Sequence, residues 1–353
     1  MLFAERWFGP DDPVRLEFLA QVPVLQGIVT ALHDVRAGES WPEDRLSRLR
    51  EQIEARHLRF CAVESIPVSE PVKLGLPERE RHMDSYCASL EAVARVGVKV
   101  VCYNFMPVFD WTRTTLAEPL PDGSIALSYD QAALEHLKLG HGGGVLPGWA
   151  AQHTPAELQR WLAAYRHVDE KRLWENLECF LKRIIPVAEA NGVSMALHPD
   201  DPPWSVLGLP RIVTNAAALQ RVLDLVPSPA NGLTFCTGSL GANPDNDLPG
   251  MIRQFGGQGR IHYVHLRNVL VRGPKSFSEC AHPNGVIDLG ECVRALVETG
   301  FAGPVRADHG RMIWGEQGRP GYGLYDRALG LMYLAGLHEA ATRRHARSAH
   351  SLP

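Results

Sequence analysis

Four apolar, strand-like segments of this chain each run into a residue type that binds metal ions. In chain order these residues are His198, Cys236, His265 and Asp308. Imidazole, thiolate and carboxylate groups are common protein ligands of divalent transition metals. Because the carboxyl ends of parallel strands meet at one edge of a sheet, four successive strands would bring these side chains together. The pattern therefore predicts a divalent-metal site.

Each of these residues also has a structural interpretation when it is taken alone. A histidine at a strand end is often a hydrogen-bonded core residue, and a cysteine is often a small buried apolar one. A buried carboxylate at Asp308 would need a cation or hydrogen-bond donors. The occurrence of four ligand types at equivalent ends of four successive strands favours a shared ion. Because a thiolate and two imidazoles are relatively soft ligands, this set would suit zinc.

Two further residues are candidates for proton transfer. His309 follows Asp308 directly, and neighbouring residues of a strand point in different directions, so both should not bind one ion. We therefore predict that His309 is free to act as an acid or base; the alternative is that it only orients a carboxylate. Tyr322 lies between Gly321 and Gly323, which allow a tight turn that presents the phenol. The alternative for Tyr322 is a packing role.

The elements that must position these residues alternate along the whole chain. Short apolar segments are separated by longer amphipathic ones, which is typical of strands in a parallel sheet with crossover helices. Eight such units predict an α/β fold that closes into a (β/α)8 TIM barrel. A single domain over residues 1–353 is expected. The predicted strands are 6–8, 27–32, 60–64, 98–105, 193–198, 233–236, 261–266 and 304–308.

One long segment interrupts this alternation after the fourth strand. Residues 106–172 are too many for an ordinary connection and contain several tryptophans and the glycine-rich stretch 140–144. Long loops of this kind are often lids over active sites. We predict an insertion that forms a lid over residues 106–172. The polar, basic residues 342–353 are predicted to form a flexible tail.

Composition narrows the classes of function. The net charge of −4 and the 22% of charged residues favour no binding to nucleic acid. The seven cysteines are scattered and include no C-x-x-C pair, which favours a reducing cytoplasm over a disulfide framework. No apolar run reaches the roughly 18 residues that a membrane-spanning helix needs. We expect a cytoplasmic enzyme without membrane contact, assembled as a homo-oligomer, a dimer or larger.

Motifs spread nearly from end to end closely resemble the mannonate dehydratase family of hexuronate degradation. The resemblance implies a TIM-type barrel akin to xylose isomerase, with Mn²⁺ or Fe²⁺ as cofactor. It also implies a small sugar-acid substrate, D-mannonate, which loses water to give 2-keto-3-deoxy-D-gluconate. The motifs include Trp7–Pro13, Gly27–His33, Cys102–Pro107, Asp110–Thr114, His198–Pro203, Cys236–Gly241, His265–Asn268, Asp308–Glu316 and Pro320–Arg327.

The resemblance also implies roles for individual residues. His309 and Tyr322 would remove the proton at C2 and protonate the leaving 3-hydroxyl, in either assignment of base and acid. The metal ligands would be His198, Cys236, His265 and Asp308.

Substrate contacts are predicted at or near strand ends, at His33, Asn104 and Arg267. Three positions depart from the family pattern: Thr115 stands where an Asp is usual, Ala307 where a Pro is usual and Ser69 where a His is usual. The departures at Thr115 and Ser69 leave a related aldonate open as the substrate. A single-metal sugar isomerase or epimerase on the same barrel is an alternative function, and a non-catalytic sugar-acid-binding barrel is another. The cysteine ligand argues against the first, and the proton-transfer residues argue against the second.

Overall fold

Eight parallel strands close into a barrel in the computed structural model, which describes residues 1–136 and 154–350. The strands of the described residues are β1 (Leu2–Arg6), β2 (Gly27–Thr30), β3 (Arg59–Glu64), β4 (Val100–Tyr103), β5 (Thr115–Pro119), β6 (Ile125–Asp130), β7 (Ser194–Leu197), β8 (Asn231–Cys236), β9 (Ile261–His265), β10 (Val269–Gly273), β11 (Ser276–Glu279) and β12 (Pro304–Arg306). The barrel order is β1-β2-β3-β4-β7-β8-β9-β12, and β12 pairs with β1. The predicted (β/α)8 fold is confirmed.

Helices cover the outside of the barrel, and most of the longer ones bury an apolar face. They are α1 (Leu16–Leu19), α2 (Glu43–Glu54), α3 (Glu70–Leu74), α4 (Arg79–Arg95), α5 (Gln131–His136), α6 (Pro155–Tyr165), α7 (Glu170–Ala190), α8 (Ala216–Leu225), α9 (Thr237–Leu240), α10 (Leu248–Gly257), α11 (Leu289–Glu298) and α12 (Leu324–His350). Gly192 and Gly300 follow α7 and α11 with φ of 62° and 70°, a left-handed conformation that ends helices and favours glycine. In the described part of the chain, no helix combines the length and apolar character needed to cross a membrane.

Small side chains fill the centre of the barrel below the carboxyl ends of the strands. One residue each from β1, β2, β3, β4 and β7 packs there with Tyr263 of β9, in a cluster separate from the core between strands and helices. The small residues leave room for this one large ring, whose hydroxyl donates a hydrogen bond of 2.8 Å to Glu64 at the end of β3. Tyr263 therefore connects the apolar interior to the charged layer above it.

A second, antiparallel sheet is built from two separate insertions. Strands β5 and β6 belong to the insertion after β4, and β10 and β11 follow β9, in the sheet order β10-β11-β6-β5. Sequence analysis predicted the first insertion but missed β10 and β11. Both strands are short, and of the three buried residues of β11 only Phe277 is apolar, so their hydrophobic pattern is weak. Pairing between the two insertions makes part of the predicted lid a regular sheet.

Other parts of the domain prediction remain predictions. Within 106–172, residues 137–153 lie outside the described residues, including the glycine-rich stretch 140–144. The closing of this insertion as a lid stays a prediction. Residues 342–350 continue α12 as helix, and 351–353 lie outside the described residues. The flexibility expected for 342–353 likewise stays a prediction.

Phe277 of β11 is expected to stabilise the layer formed by the antiparallel sheet. It is 1% exposed and packs against the rings of Tyr129 and Trp204. Phe277→Ala should lower the free energy of unfolding by about 3–5 kcal/mol, because a buried ring is replaced by a cavity. Urea unfolding followed by circular dichroism measures this. The matched variant Leu270→Ala changes a 37% exposed residue of β10 and should alter stability by only about 0.5 kcal/mol. Equal losses would contradict the packing role.

Candidate active site

Strand register places the predicted metal ligands at one level of the barrel. Cys236 ends β8 and pairs in register with His265, which ends β9. His265 in turn pairs with Arg306 of β12, two residues before Asp308. His198 directly follows β7, the strand beside β8. Their side chains therefore converge at the carboxyl ends of the strands, the face where barrel enzymes hold their active sites.

His198, Cys236 and His265 form a compact set of metal-type donors. One ligand atom from each lies within 4.8 Å of the others, and the two imidazoles approach to 3.2 Å between Nε2 of His198 and Nδ1 of His265. Nδ1 of His198 lies 2.7 Å from the Pro199 carbonyl oxygen, to which it can donate. That hydrogen bond would leave Nε2 of His198 available as a ligand, as is usual for metal-binding histidines.

The surroundings of Cys236 favour the thiolate. Burial and the charge of Asp308 raise the pKa of the thiol, but hydrogen bonds with His198 and His265 and the charge of Arg267 hold it well below its ordinary value. Burial lowers the pKa of His198, whereas its hydrogen bond to Cys236 and the negative charges around it raise that pKa to about 9. The hydroxyl of Ser239, 3.1 Å from Sγ, can donate to the sulfur. A thiolate is the ionisation state that binds metals.

Asp308 lies beside this set and faces it with one oxygen. Its Oδ2 is 3.6 Å from Sγ of Cys236 and 3.8 Å from Nδ1 of His265. Its other oxygen, Oδ1, forms an ion pair of 2.8 Å with Arg306. The backbone of Asp308 has φ of 64°, a left-handed conformation that Asp tolerates better than most residues. This turn directs the carboxylate to the donors at the point where β12 has ended.

The donor chemistry fits one divalent ion. Two nitrogens and a sulfur in a tight group, with a carboxylate oxygen next to them, are typical transition-metal ligands. A buried thiolate and a carboxylate only 3.6 Å apart repel each other, and a cation between them would offset that repulsion. His198, Cys236 and His265 therefore make a candidate metal site, and Asp308 is placed to complete it.

His309 and Tyr322 meet next to the donors. Nε2 of His309 lies 2.9 Å from the Tyr322 hydroxyl, and Nδ1 lies 2.8 Å from Oε1 of Glu279. Burial raises the pKa of Glu279, but the charges of His309, Arg267 and Arg113 outweigh it and lower this pKa to about 2. Glu279 is thus a carboxylate that can accept the Nδ1 proton, so Nε2 is the nitrogen that faces the Tyr322 hydroxyl. Burial raises the pKa of the Tyr322 phenol.

Sequence analysis missed Glu279 and Asp201 as members of the site, together with Arg113, which binds both carboxylates. Arg113 donates to both oxygens of Asp201, at 2.8 and 3.0 Å, and forms an ion pair of 2.7 Å with Glu279. Arg113 lies 88 residues from Asp201 and 166 residues from Glu279 in the chain. No local spacing therefore marks them. Arg267 belongs to the same network, with ion pairs to Asp201, Glu279 and Asp308 at 2.9, 2.6 and 3.0 Å.

A cavity opens at the candidate metal ligands. Its lining includes His198, Asp308, His309 and Tyr322. Of the predicted substrate contacts, it includes Asn104.

Other predicted substrate contacts lie elsewhere. Among the described residues, those that line the cavity do not include His33 or Arg267, nor Ser69 or Thr115. His33 packs against the ring of Phe8, which contacts Tyr322 in turn. Arg267 is buried in the ion-pair network. Contact of His33 and Arg267 with substrate stays a prediction.

The fold and the site together define a TIM-barrel enzyme with a candidate single-metal centre. A family model described as D-mannonate dehydratase (UxuA) matches residues 1–348. Mannonate dehydratase 2 of Halalkalibacterium halodurans is 50% identical over 344 residues, which cover 97% of this chain and 100% of that protein. The chain belongs to the mannonate dehydratase family, and the resemblance found in the sequence is confirmed.

Solved structures agree with this membership. The crystal structure of mannonate dehydratase from Streptococcus suis serotype 2 superposes with a TM-score of 0.91 at 43% identity, covering 98% of this chain and 96% of that chain. A xylose isomerase domain protein from Planctomyces limnophilus is similar with a TM-score of 0.55 at 12% identity, covering 97% of this chain and 98% of that one. The second likeness concerns the fold alone and confirms that the barrel resembles that of xylose-isomerase-like proteins.

Cys236→Ser should weaken metal binding much more than folding. A hydroxyl does not replace a thiolate as a ligand, and even loss of an outer partner of a ligand costs about 10–100-fold in affinity. We therefore expect metal affinity to fall by at least about 10²-fold, with a stability change of about 1 kcal/mol. Elemental analysis and thermal unfolding measure the two effects. Cys179→Ser, which changes a half-buried cysteine of α7, is the matched control. Stoichiometric metal in Cys236→Ser would refute the assignment.

Proposed function

We propose that this protein dehydrates D-mannonate to 2-keto-3-deoxy-D-gluconate. The C2–H and C3–O bonds break, the 3-hydroxyl leaves as water with a proton, and the resulting enol tautomerises to the 2-keto acid. The observation that carries the proposal is the His309–Tyr322 pair, whose Nε2 and hydroxyl lie 2.9 Å apart beside the candidate metal ligands. This chain is also 50% identical to a protein named mannonate dehydratase 2.

The proposed cofactor is Mn²⁺ or Fe²⁺, held by His198, Cys236, His265 and Asp308. When bound, the ion supplies positive charge that stabilises the negative charge developing on the sugar acid as C2 loses its proton. Contacts with neighbouring side chains hold the proposed ligands in position. Arg306 and Arg267 bind Asp308, and Oε2 of Glu64 lies 3.4 Å from the outer nitrogen of His265. Such outer contacts orient metal ligands.

His309 and Tyr322 are the proposed proton-transfer pair. One removes the C2 proton and the other protonates the leaving 3-hydroxyl, and both face the cavity. Glu279 keeps Nε2 of His309 directed at the phenol oxygen of Tyr322, so a proton can pass between the two groups without rearrangement. The ring of Trp111, 5.1 Å from the His309 ring, covers the imidazole and limits its contact with water.

A sugar epimerase is the main rival, because barrels of this fold carry out several chemistries. The test is to incubate the protein with D-mannonate and Mn²⁺ under reducing conditions and to measure 2-keto acid and C2 epimer separately. We expect 2-keto acid, lost on chelation and restored by Mn²⁺ or Fe²⁺. Formation of the epimer without 2-keto acid would overturn the proposal, and full activity with Zn²⁺ alone would overturn the choice of metal.

We also propose that the enzyme acts in the cytoplasm as a homo-oligomer. All seven cysteines are free thiols, which suits a reducing compartment. Helix α12 exposes Leu329 and Met332 at 48% and 42%, and apolar surface of this kind is often covered by a second subunit. Light scattering of the purified protein measures the assembly.

Removing either proton-transfer group should stop turnover without removing metal. Tyr322→Phe keeps the ring against Phe8, and His309→Gln keeps a polar side chain beside Glu279. We expect turnover to fall by roughly 10²-fold or more in each, the size expected for a lost acid or base. Tyr325→Phe, at a 43% exposed position three residues away, is the control.

Exchange of the C2 proton with solvent deuterium then separates the two roles. The variant that lacks the base should lose exchange, whereas the variant that lacks only the acid should still exchange while failing to release water. Loss of metal from either variant would mean that the replaced residue is a ligand or a structural support.

A further inference from the structure

Buried charged side chains that the proposed reaction does not use hold the main chain of segment 106–110. The Lys73 ammonium donates to the Met106 carbonyl oxygen at 2.7 Å and to Oε1 of Glu70 at 2.9 Å. The same Glu70 oxygen accepts the Val108 N–H at 3.2 Å. Lys73 and Glu70 are 4% and 7% exposed, so water screens these contacts little. A charged pair on α3 therefore sets the position of main-chain atoms after β4.

Further buried groups complete the arrangement. The Tyr165 hydroxyl, at the end of α6, donates to Oε2 of Glu70 at 2.6 Å. Arg211 donates to the carbonyl oxygens of Phe109 and Asp110 at 2.8 and 3.2 Å. The segment is thus held at Met106 and Val108 by one set of charges and at Phe109 and Asp110 by another.

The conformation of this segment is one that the chain would not adopt unaided. Val108 has φ of 61°, in the left-handed region that β-branched residues rarely enter. Backbone strain of this kind persists only where the surrounding contacts impose it. The hydrogen bond from the Val108 N–H to Glu70 is a contact at the strained residue itself. Loss of the charged pair should therefore let the segment relax to an ordinary conformation.

The same segment carries part of the cavity lining. Asn104 and Met106 line the cavity before the strained residue, and Asp110 and Trp111 line it afterwards. Trp111 also packs on the ring of His309. The metal donors and Tyr322 belong to other strands and loops. A shift of segment 106–110 would thus move substrate-facing groups and leave the candidate ligands in place.

We propose that Lys73 and Glu70, braced by Tyr165, form an ionic clamp that positions Asp110 and Trp111 to bind the sugar acid. Lys73 and Glu70 are positioning residues, since they act through the main chain of segment 106–110. The proposal rests on the proposed function for the identity of the substrate. The main-chain geometry that the clamp imposes does not depend on that identity.

Neutral variants separate positioning from simple stabilisation. Lys73→Met leaves Glu70 charged and unpaired, and Glu70→Gln does the same to Lys73, so both lose stability. The double variant removes both charges and should regain stability, but Met106 then has no donor. Tyr165→Phe deletes one hydroxyl with little change of shape. Lys182→Met, which breaks the exposed pair with Glu178 on α7, is the matched control.

The experiment measures amide hydrogen exchange, steady-state kinetics with D-mannonate and metal content on the full-length enzyme. We expect faster exchange confined to residues 104–112, and KM raised by about 10-fold in Lys73→Met and in the double variant, since small misplacements at a site are costly. Tyr165→Phe should show the same changes to a smaller extent. Metal content should equal that of the parent, and kcat should change less than KM.

Two results would overturn the clamp. One is a double variant that regains the parental KM together with its thermal stability, which would make the pair merely structural. The other is exchange that accelerates equally in the barrel strands, which would indicate general destabilisation. If the parent enzyme fails to convert D-mannonate, the proposed function is wrong, but the exchange of residues 104–112 still decides whether the clamp exists.

Discussion

Mutual neutralisation of buried charges under the cavity is the constraint on which the site depends. Four arginines and four carboxylates, each at most 6% exposed, face one another there. They are Arg6, Arg113, Arg267 and Arg306, with Glu64, Asp201, Glu279 and Asp308. Burying any one of these charges alone would be costly, and breaking such a pair commonly costs about 3–5 kcal/mol. Each of these charges is therefore held by its partners, and His309 and Asp308 are positioned by contacts with members of this network.

This network joins parts of the chain that the barrel alone would leave separate. Arg113 comes from the insertion after β4, Asp201 follows β7, and Glu279 ends a strand of the insertion after β9. The antiparallel sheet thus contributes directly to the candidate active site. Barrels with the same fold are reported for epimerases and isomerase-like proteins, so the barrel does not define the chemistry. In this chain the insertions bring Glu279 and Trp111 against His309.

One local backbone conformation directs the side chains of two adjacent residues, Asp308 and His309, to different parts of the site. The left-handed backbone at Asp308 turns its carboxylate toward Cys236, whereas His309 points between Glu279 and Tyr322. Two neighbouring side chains are thereby placed for the two different functions that we propose for them, ligation and proton transfer. A similar arrangement occurs in segment 106–110, where the N–H of strained Val108 donates to the buried Glu70 carboxylate. In both places buried ionic contacts accompany a left-handed backbone conformation.

Much of this molecule could be predicted from local patterns. Alternating strands and helices, each with its own hydrophobic period, determined the barrel, and strand ends placed His198, Cys236 and His265 on one face. The tertiary structure alone decided the partners of the buried charges, including the pairing of Glu279 with Arg113 and of the two insertions with each other. Local periodicity reports how much of a segment is buried. It carries no information about which distant segment lies against it, and the charged groups of this site are paired over distances of up to hundreds of residues.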